Sequence, residues 1–460
     1  MKSKTQLQKN QEVRGQVEDL THEGLGVIKI EGYPLFVEGA IPGEEITAKV
    51  IKVGKHFGFA RLLQVDKPAY DRVQLVDPIG NQVGTMTLQH MSYDLQLAFK
   101  QEVVRNAFRK LGGFKQVDVR MTMGMDNPWQ YRNKAQIPVR ALNGQLETGF
   151  FRKNSHDLVA VENFHIQHPE IDRAIHVIRN ILRQFGVSPY DEVNHTGIVR
   201  HIIVKRGHVS GEKMVILVVN GDSLPNEDQI AWEIQHQILE VVSVILNVNT
   251  RQTNVIMGPK NRVLAGQDYY RDQMLGYTYF ISAHSFYQVN TSQAERLYKE
   301  AIRAANLTGK EIVLDAYCGI GTITLPLAQQ AKHAYAMEVV AEAIDMARKN
   351  ASYNYVDNVT FEVGKAEEVL PVWNAAGVQF DVVVVDPPRK GLDASFIAAV
   401  IDQAPERIVY VSCNPATCAR DCKALAENGY QVEYVQPVDM FPQTSHVECV
   451  VLMSKVAPSE

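Results

Sequence analysis

From about residue 285 onward, short and almost continuously apolar runs alternate with longer segments of helical periodicity, and this alternation limits the fold more than any other feature. The runs cover 312–315, 333–338, 359–363, 380–385 and 408–411, with helical stretches such as 341–354 between them. A strand that is apolar on both faces must be covered on both faces. The pattern therefore predicts an α/β unit over 281–460, a parallel sheet with helices on either side. Ligands of such sheets bind beyond the carboxyl ends of the strands, so chemistry is expected where these runs stop.

The first 280 residues are organised differently. Over 5–66, β-branched runs at 26–30, 35–37 and 46–51 are separated by turn signals at Glu31-Gly32, Pro42-Gly43 and Val53-Gly54. That spacing predicts a small closed barrel of the OB type, which often binds oligonucleotides. Its last strands interleave Lys49, Lys52, Lys55 and His56 with Phe57 and Phe59. Such a mixture can contact phosphates and stack on bases, although barrel core is the plainer reading of the phenylalanines. Residues 67–280 form a central α+β region with strands at 198–204 and 214–219 and helices at 171–185 and 229–246. Apolar residues at helical spacing over 92–111, stopped by Gly112-Gly113, predict one long amphipathic helix placed to pack on the C-terminal unit. Net charge is −5, yet 100–160 hold eleven basic residues against five acidic ones. One positive face can thus meet phosphates while the rest stays acidic, and a solvated face is the equally simple alternative.

The first strand of the C-terminal unit ends in Asp315-Ala316-Tyr317-Cys318-Gly319-Ile320-Gly321-Thr322, a Gly-x-Gly turn opening a helix, and Glu338 ends the second strand. An acid there is placed for ribose hydroxyls. A nicotinamide dinucleotide asks for a third glycine where Thr324 stands. S-adenosylmethionine has no pyrophosphate to cradle, so the methyl donor suits the loop better. Asp386-Pro387-Pro388-Arg389 closes the fourth strand. Its prolines fix φ and can aim a carboxylate into the cleft, or simply make a rigid turn. The fifth strand breaks at Asn414-Pro415 and displays the thiol of Cys413, and His446-Val447-Glu448 supplies a carboxylate later. Carbon 5 of a pyrimidine is a poor nucleophile toward a sulfonium methyl group. A thiolate added to carbon 6 makes it an enolate, and a base must then take the carbon 5 proton before the thiol leaves. Cys413 and Glu448 are the candidates for those two tasks. Cys318, Cys418, Cys422 and Cys449 read as core. The spacing of Cys413, Cys418 and Cys422 loosely matches a metal site but has no histidine partner, so no metal is assigned.

Gln288 within Phe286-Tyr287-Gln288-Val289-Asn290, the 315–321 loop, Glu338, Asp386-Pro387-Pro388-Arg389, Ser412-Cys413-Asn414-Pro415 and His446-Val447-Glu448, in that order, resemble the RNA (uracil-5-)-methyltransferases. The N-terminal barrel resembles a TRAM domain, and the likeness runs to about residue 453. The resemblance implies a Rossmann-like class I S-adenosylmethionine methyltransferase domain joined to an OB-like TRAM barrel and an α+β central domain. It implies Cys413 as nucleophile and Glu448 as base. Gln288, Tyr317, Glu338 and Asp386 then line the S-adenosylmethionine site, with Gln288 and Asp386 also facing the uracil. Many bacterial relatives with a TRAM domain hold a four-cysteine iron–sulfur cluster. The matching positions here are Asp77, Val83, Met86 and a fourth near Phe164, none a thiolate ligand, so no iron–sulfur cluster is expected and apolar packing should fill the space.

Transfer RNA relatives typically lack the barrel, so the resemblance points to methylation of a 23S ribosomal RNA uridine, giving 5-methyluridine in a base that is looped out or flipped. A transfer RNA uridine, a cytosine, and a mainly RNA-binding ribosome assembly factor are the alternatives. Residues 1–9 hold no apolar leader and no run approaches the ~18 residues of a membrane span. The cysteines are odd in number and all lie between 318 and 449. A cytoplasmic monomer with ribosomal RNA as partner is therefore expected.

Overall fold

The computed structural model describes residues 7–456. Residues 1–6 and 457–460 lie outside the described residues, and with them most of the leader reading and the outer ends of the 5–66 and 281–460 spans.

Five strands, β1 (Glu12–Leu20), β2 (Gly26–Ile30), β3 (Tyr33–Glu38), β4 (Glu45–Val53) and β5 (Gly58–Lys67), close into a barrel in the order β1-β2-β3-β5-β4, with β4 returning to β1. Alternation along each strand decides what fills it. Val17, Ile28, Leu35, Val37, Ile46 and Val50 point inward and are fully buried, while their neighbours face out. The β2–β3 hairpin turns on Glu31 and Gly32, with φ of 50° and 81°, the paired left-handed conformations that match the twist of the flanking strands.

After the barrel come α1 (Pro78–Val83), capped by Asp77, and α2 (Tyr93–Ala107), capped by Ser92. The helix expected over 92–111 changes character at its end, where Phe108–Gly112 widen into one π-type turn. That turn packs on the helix following Cys413. A Cβ on Gly112 would lie 3.2 Å from the carbonyl oxygen of Ala419 and closer still to the Phe114 ring, so the close approach depends on glycine.

The central sheet contains β6 (Lys134–Leu142), β7 (Gln145–Phe151), β8 (Leu158–Ala160), β9 (Val199–Arg206), β10 (Lys213–Val219), β11 (Val241–Val248) and β12 (Lys260–Gly266), in the order β12-β11-β10-β9-β6-β7-β8. Helices α3 (Pro169–Gln184) and α4 (Glu227–Gln237) cover one face. The helix expected over 229–246 is helical only to Gln237, and Val241–Val248 is a strand parallel to β10. Val241-Val242-Ser243-Val244-Ile245-Leu246 is β-branched and apolar in both registers. A strand inside a sheet covered on both sides buries all of it, and a surface helix would leave half exposed. The other face of the sheet meets a hairpin, β13 (Tyr269–Met274) and β14 (Tyr277–Ser282). Through it, Ile203, Met214 and Ile216 share one core with Val313, Val384 and Val409 of the C-terminal sheet.

The C-terminal unit runs α5 (Thr291–Ala305), β15 (Ile312–Asp315), α6 (Thr324–Gln330), β16 (His333–Glu338), α7 (Ala341–Tyr353), β17 (Val359–Val363), α8 (Ala366–Ala375), β18 (Val382–Val385), α9 (Ala394–Gln403), β19 (Arg407–Ser412), α10 (Pro415–Ala426), β20 (Tyr430–Val438) and β21 (Glu448–Lys455). The sheet order is β17-β16-β15-β18-β19-β21-β20. The five strands from β15 to β19 are parallel, as their apolar runs predict. The sheet as a whole is not, because β21 lies between β19 and β20 and runs antiparallel to both. Reversal brings the first residue of β21 to the edge at which the parallel strands end.

Candidate active site

The geometry follows from that reversed strand. Ser412, the last residue of β19, pairs with Cys449, the second residue of β21. Continuing the antiparallel register by one step sets Cys413 opposite Glu448, although 34 residues separate them in the chain. Glu448 is buried at 4% exposure and Cys413 is half-buried. Burial, with the charge of Asp386, lifts the Glu448 carboxyl to about 8. Burial and the carboxylates of Glu448 and then Asp386 lift the Cys413 thiol to about 11, with Arg389 acting in the opposite direction. The first turn of α10 begins immediately after Cys413, and its orphan N–H groups favour negative charge there.

The turn that displays the thiol is tied down on both sides. Asn414 caps α10 by accepting from the Ala416 amide at 3.2 Å, and its own amide donates to the Ser412 hydroxyl at 3.1 Å. The Asn414 side-chain amide and the Thr417 hydroxyl both donate to the Arg389 carbonyl, at 3.0 and 3.2 Å, which locks the Asp386–Arg389 loop against the thiol's turn. Asp386 itself is partly buried, and burial with the charge of Asp315 raises its carboxyl to about 7.

Tyr317 lies just past the end of β15 and Glu338 ends β16, while Gln288 lies in the loop between β14 and α5. Asp315 is 1% exposed. One of its oxygens accepts from Thr324 Oγ1 at 2.6 Å and the other has no partner among the described residues. Burial raises Asp315 to about 6. Thr324, which stands where a dinucleotide motif would have glycine, thus holds the carboxylate that closes β15. Glu338 ends β16 half-buried and accepts from the Val340 amide at 3.0 Å. Tyr317 is half-buried with its ring edge-on to Phe396, and Gln288 is 6% exposed. Sequence reasoning missed Tyr298, which sits fully buried on α5. Gln288 and Thr322 lie beside its hydroxyl, and burial and then the charges of Asp386 and Glu448 raise it. In the sequence it is one more apolar-face residue of an amphipathic helix, and only the fold reveals its neighbours.

Lys100, Tyr93 and Asp439 were also missed. Lys100 on α2 and Asp439 at the start of the loop into β21 form an ion pair with both side chains at 0% exposure. The ammonium also donates to the Phe441 carbonyl at 3.0 Å, and Tyr93 Oη donates to Asp439 at 2.9 Å. Gln96 grips Gln443 in both directions, at 2.9 and 3.0 Å. Helix α2 thereby fixes the loop that delivers Glu448.

Cys413 opens onto a cleft of about 1310 Å³ whose walls include Phe36, Ile51 and Phe59 of the barrel, Lys110 and Leu111 beyond α2, and Arg389 and His446 beside the thiol. Away from this site, Val83, Met86 and Phe164 pack with Tyr131, Val161 and Ile166 in one small core. Asp77 beside it is buried, capping α1 and meeting His165 at 3.0 Å. Cys418 and Cys422 are fully buried with sulfurs 4.0 Å apart. Among the described residues no cluster of three or more His, Cys, Asp or Glu is arranged to hold a metal ion, and no helix is long and apolar enough to cross a membrane.

Residues 92–456 match the family model described as tRNA (Uracil-5-)-methyltransferase, and residues 6–63 match that of the TRAM domain. An uncharacterized RNA methyltransferase of Enterococcus faecalis is 51% identical over 449 residues, covering 98% of each chain. Another, of Halalkalibacterium halodurans, is 48% identical over 452 residues, covering 98% of this chain and 99% of its own. Among solved structures, the Pyrococcus abyssi tRNA (uracil-54, C5)-methyltransferase in complex with S-adenosyl-L-homocysteine is similar with a TM-score of 0.77 and 27% identity, over 96% of this chain and 99% of that one.

Proposed function

The chain belongs to the tRNA (uracil-5-)-methyltransferase family, and from that premise we propose that it methylates carbon 5 of an RNA uridine, using S-adenosylmethionine, through a covalent bond between Cys413 and carbon 6. The observation that carries the reading is the strand register that sets a half-buried thiol opposite a buried carboxylate at the edge of a large cleft.

The strand ends fit the methyl donor. Among the described residues, one buried Asp315 oxygen has no hydrogen-bond partner of good geometry, and nothing stands within 4 Å of where a side chain on Gly319 would be. Gln288, Tyr317, Glu338 and Asp386 would hold the donor around that loop, with Glu338 on the ribose hydroxyls. When bound, S-adenosylmethionine supplies an electrophilic methyl group. The chain's residues do the rest. The Cys413 thiolate adds to carbon 6, and the displaced electron pair makes carbon 5 the nucleophile that takes the methyl group. Glu448 then removes the carbon 5 proton, the ring double bond re-forms, and the sulfur leaves as thiolate. Tyr298, with Gln288, Asp386 and Glu448 near it, would help to orient the ring.

The target proposed is a uridine of 23S ribosomal RNA, in keeping with the barrel-bearing relatives that the motifs resemble. A transfer RNA uridine is the second reading. The Pyrococcus abyssi tRNA enzyme aligns over 96% of this chain, too much for the barrel to be left out, so the barrel suits either RNA. Comparing 5-methyluridine positions in ribosomal and transfer RNA from cells with and without the gene tests this. Loss of a 23S mark supports the first reading, loss of a transfer RNA mark the second, and no loss in either RNA contradicts both.

A further inference from the structure

The barrel carries three phenylalanines that do not serve its core. Inward-facing Leu35 and Val37 on β3, and Gly58 and Ala60 on β5, leave Phe36 and Phe59 pointing out, and the two pair directly across the strands. Phe57, from the turn between β4 and β5, completes the group. Ring centroids are 5.0 Å apart for Phe36–Phe57, stacked, and 5.7 Å for the other two pairs, edge-on. Phe57 is 43% exposed and Phe59 36%, and Ile51 beside them is 50% exposed. A contiguous aromatic patch on the outer face of the barrel costs solvation and signals a partner.

Two further observations identify that partner. The patch continues into the cleft that holds Cys413, since Phe36, Ile51 and Phe59 line the same cavity as Cys413 and Arg389. It is also bordered by cations. Lys52 pairs in register with Phe59 and Lys49 with Arg61, and Lys55 adjoins Phe57 in the turn. None of these four has a carboxylate partner among the described residues. The one acid on β3's outer face, Glu38, is met by Lys153 at 2.9 Å. Exposed rings among unpaired cations, continuous with a nucleophile, suit a polyanion with flat apolar faces.

We propose that Phe36, Phe57 and Phe59 form a stacking platform for an unpaired RNA base that neighbours the nucleotide delivered to Cys413, with Lys49, Lys52 and Arg61 on the adjoining phosphates. The platform rests on the reading of the substrate as RNA and adds to it where the strand leaves the cleft. A base held here fixes the path of the chain, so the target is presented by its neighbour as well as by its own contacts.

The test is binding of a fluorescent oligouridylate to the full-length protein by anisotropy, with no methyl transfer required. Phe57→Ala/Phe59→Ala should weaken binding roughly 5- to 150-fold, the range of one lost base–aromatic stack, with an unchanged salt slope. Phe57→Tyr/Phe59→Tyr should bind within about threefold of wild type, since a tyrosine face stacks equally well. Lys49→Gln/Arg61→Gln should instead flatten the salt dependence. An alanine pair that melts at the wild-type temperature and binds oligouridylate as tightly overturns the proposal. So does an alanine pair that leaves RNA affinity unchanged and dissociates a self-associated protein, which would assign the patch to a second copy of the chain. A wild-type protein that binds through the rings yet methylates no uridine would refute the proposed function and leave the platform standing.

Discussion

Glu448→Gln separates the two halves of the proposed reaction, and the pH dependence expected for each can be worked from the site. In the free protein the Glu448 carboxyl ionises at about 8 and the Cys413 thiol at about 11. At pH 7 the base is then ionised in ~10% of molecules and the thiol in ~0.01%. Because kcat/KM covers the steps up to the irreversible methyl transfer, which precedes the base's task, it should follow the Cys413 thiol alone and rise about tenfold per pH unit up to about 11. Resolution of the methylated adduct is the step that needs Glu448 ionised, and its rate should rise about tenfold per pH unit below about 8 and level off above that. The glutamine variant keeps the thiol but not the base. Its turnover should drop by ~10²–10⁴, the usual worth of a positioned base. It should also accumulate a methylated RNA–protein adduct on ordinary uridine, because nothing removes the carbon 5 proton. The assay is SDS electrophoresis of labelled RNA alongside single-turnover methyl transfer between pH 6 and 10. A variant that turns over at the wild-type rate, or a wild-type profile that is flat across that range, refutes the assignment of these groups.

Three other outcomes follow from the same structure. The Glu448 carboxyl is raised in the fold, so its contribution to stability is complete below the unfolded value near 4.5 and is lost as pH rises to about 8. Glu448→Gln should therefore gain stability over wild type across that interval, by about 1.4 kcal/mol per pH unit at most, and hold the gain above it; calorimetry showing a gap that closes with pH would contradict this. Lys100→Met strands the buried Asp439 charge and should cost ~3–5 kcal/mol by denaturant unfolding, with Lys100→Met/Asp439→Asn recovering part of it. In the single variant kcat should fall more than KM rises, because the loop carrying Glu448 loosens. Protein purified without oxygen should be colourless, since Val83, Met86 and Phe164 occupy one apolar core; stoichiometric iron and sulfide by chemical analysis would overturn that expectation.

The C-terminal sheet was legible because its strands are buried on both faces and so write continuous apolar runs, and the barrel because its hairpins need turn residues at close spacing. Residues 229–246 were misread as helix because a doubly covered strand and a buried helix look alike over a few residues, and Val241–Val248 is such a strand. The antiparallel course of β21 has no local signature either. It depends on which edge of the sheet remained free, and with it goes the reason Glu448 meets Cys413. Motif order led to both residues, and register explains their pairing. Tyr298 and Lys100 were silent for a related reason. Each occupies a helix position that periodicity assigns to packing or to solvent, and each acquires its partners, Gln288 for one and Asp439 for the other, only when distant segments close over it. Phe57 and Phe59 erred the other way, since the plainer reading put them in the barrel core and the alternation of β5 turns Phe59 outward.

The claim on which the rest depends is that the Cys413 sulfur bonds carbon 6 of a uridine. RNA containing 5-fluorouridine tests it, because fluorine cannot leave carbon 5 as a proton and the adduct cannot resolve. Incubated with S-adenosylmethionine and such RNA, the wild-type protein should form a species that survives SDS and shifts by the mass of the RNA, and Cys413→Ala should form none. An equal yield of that species from Cys413→Ala would contradict the account.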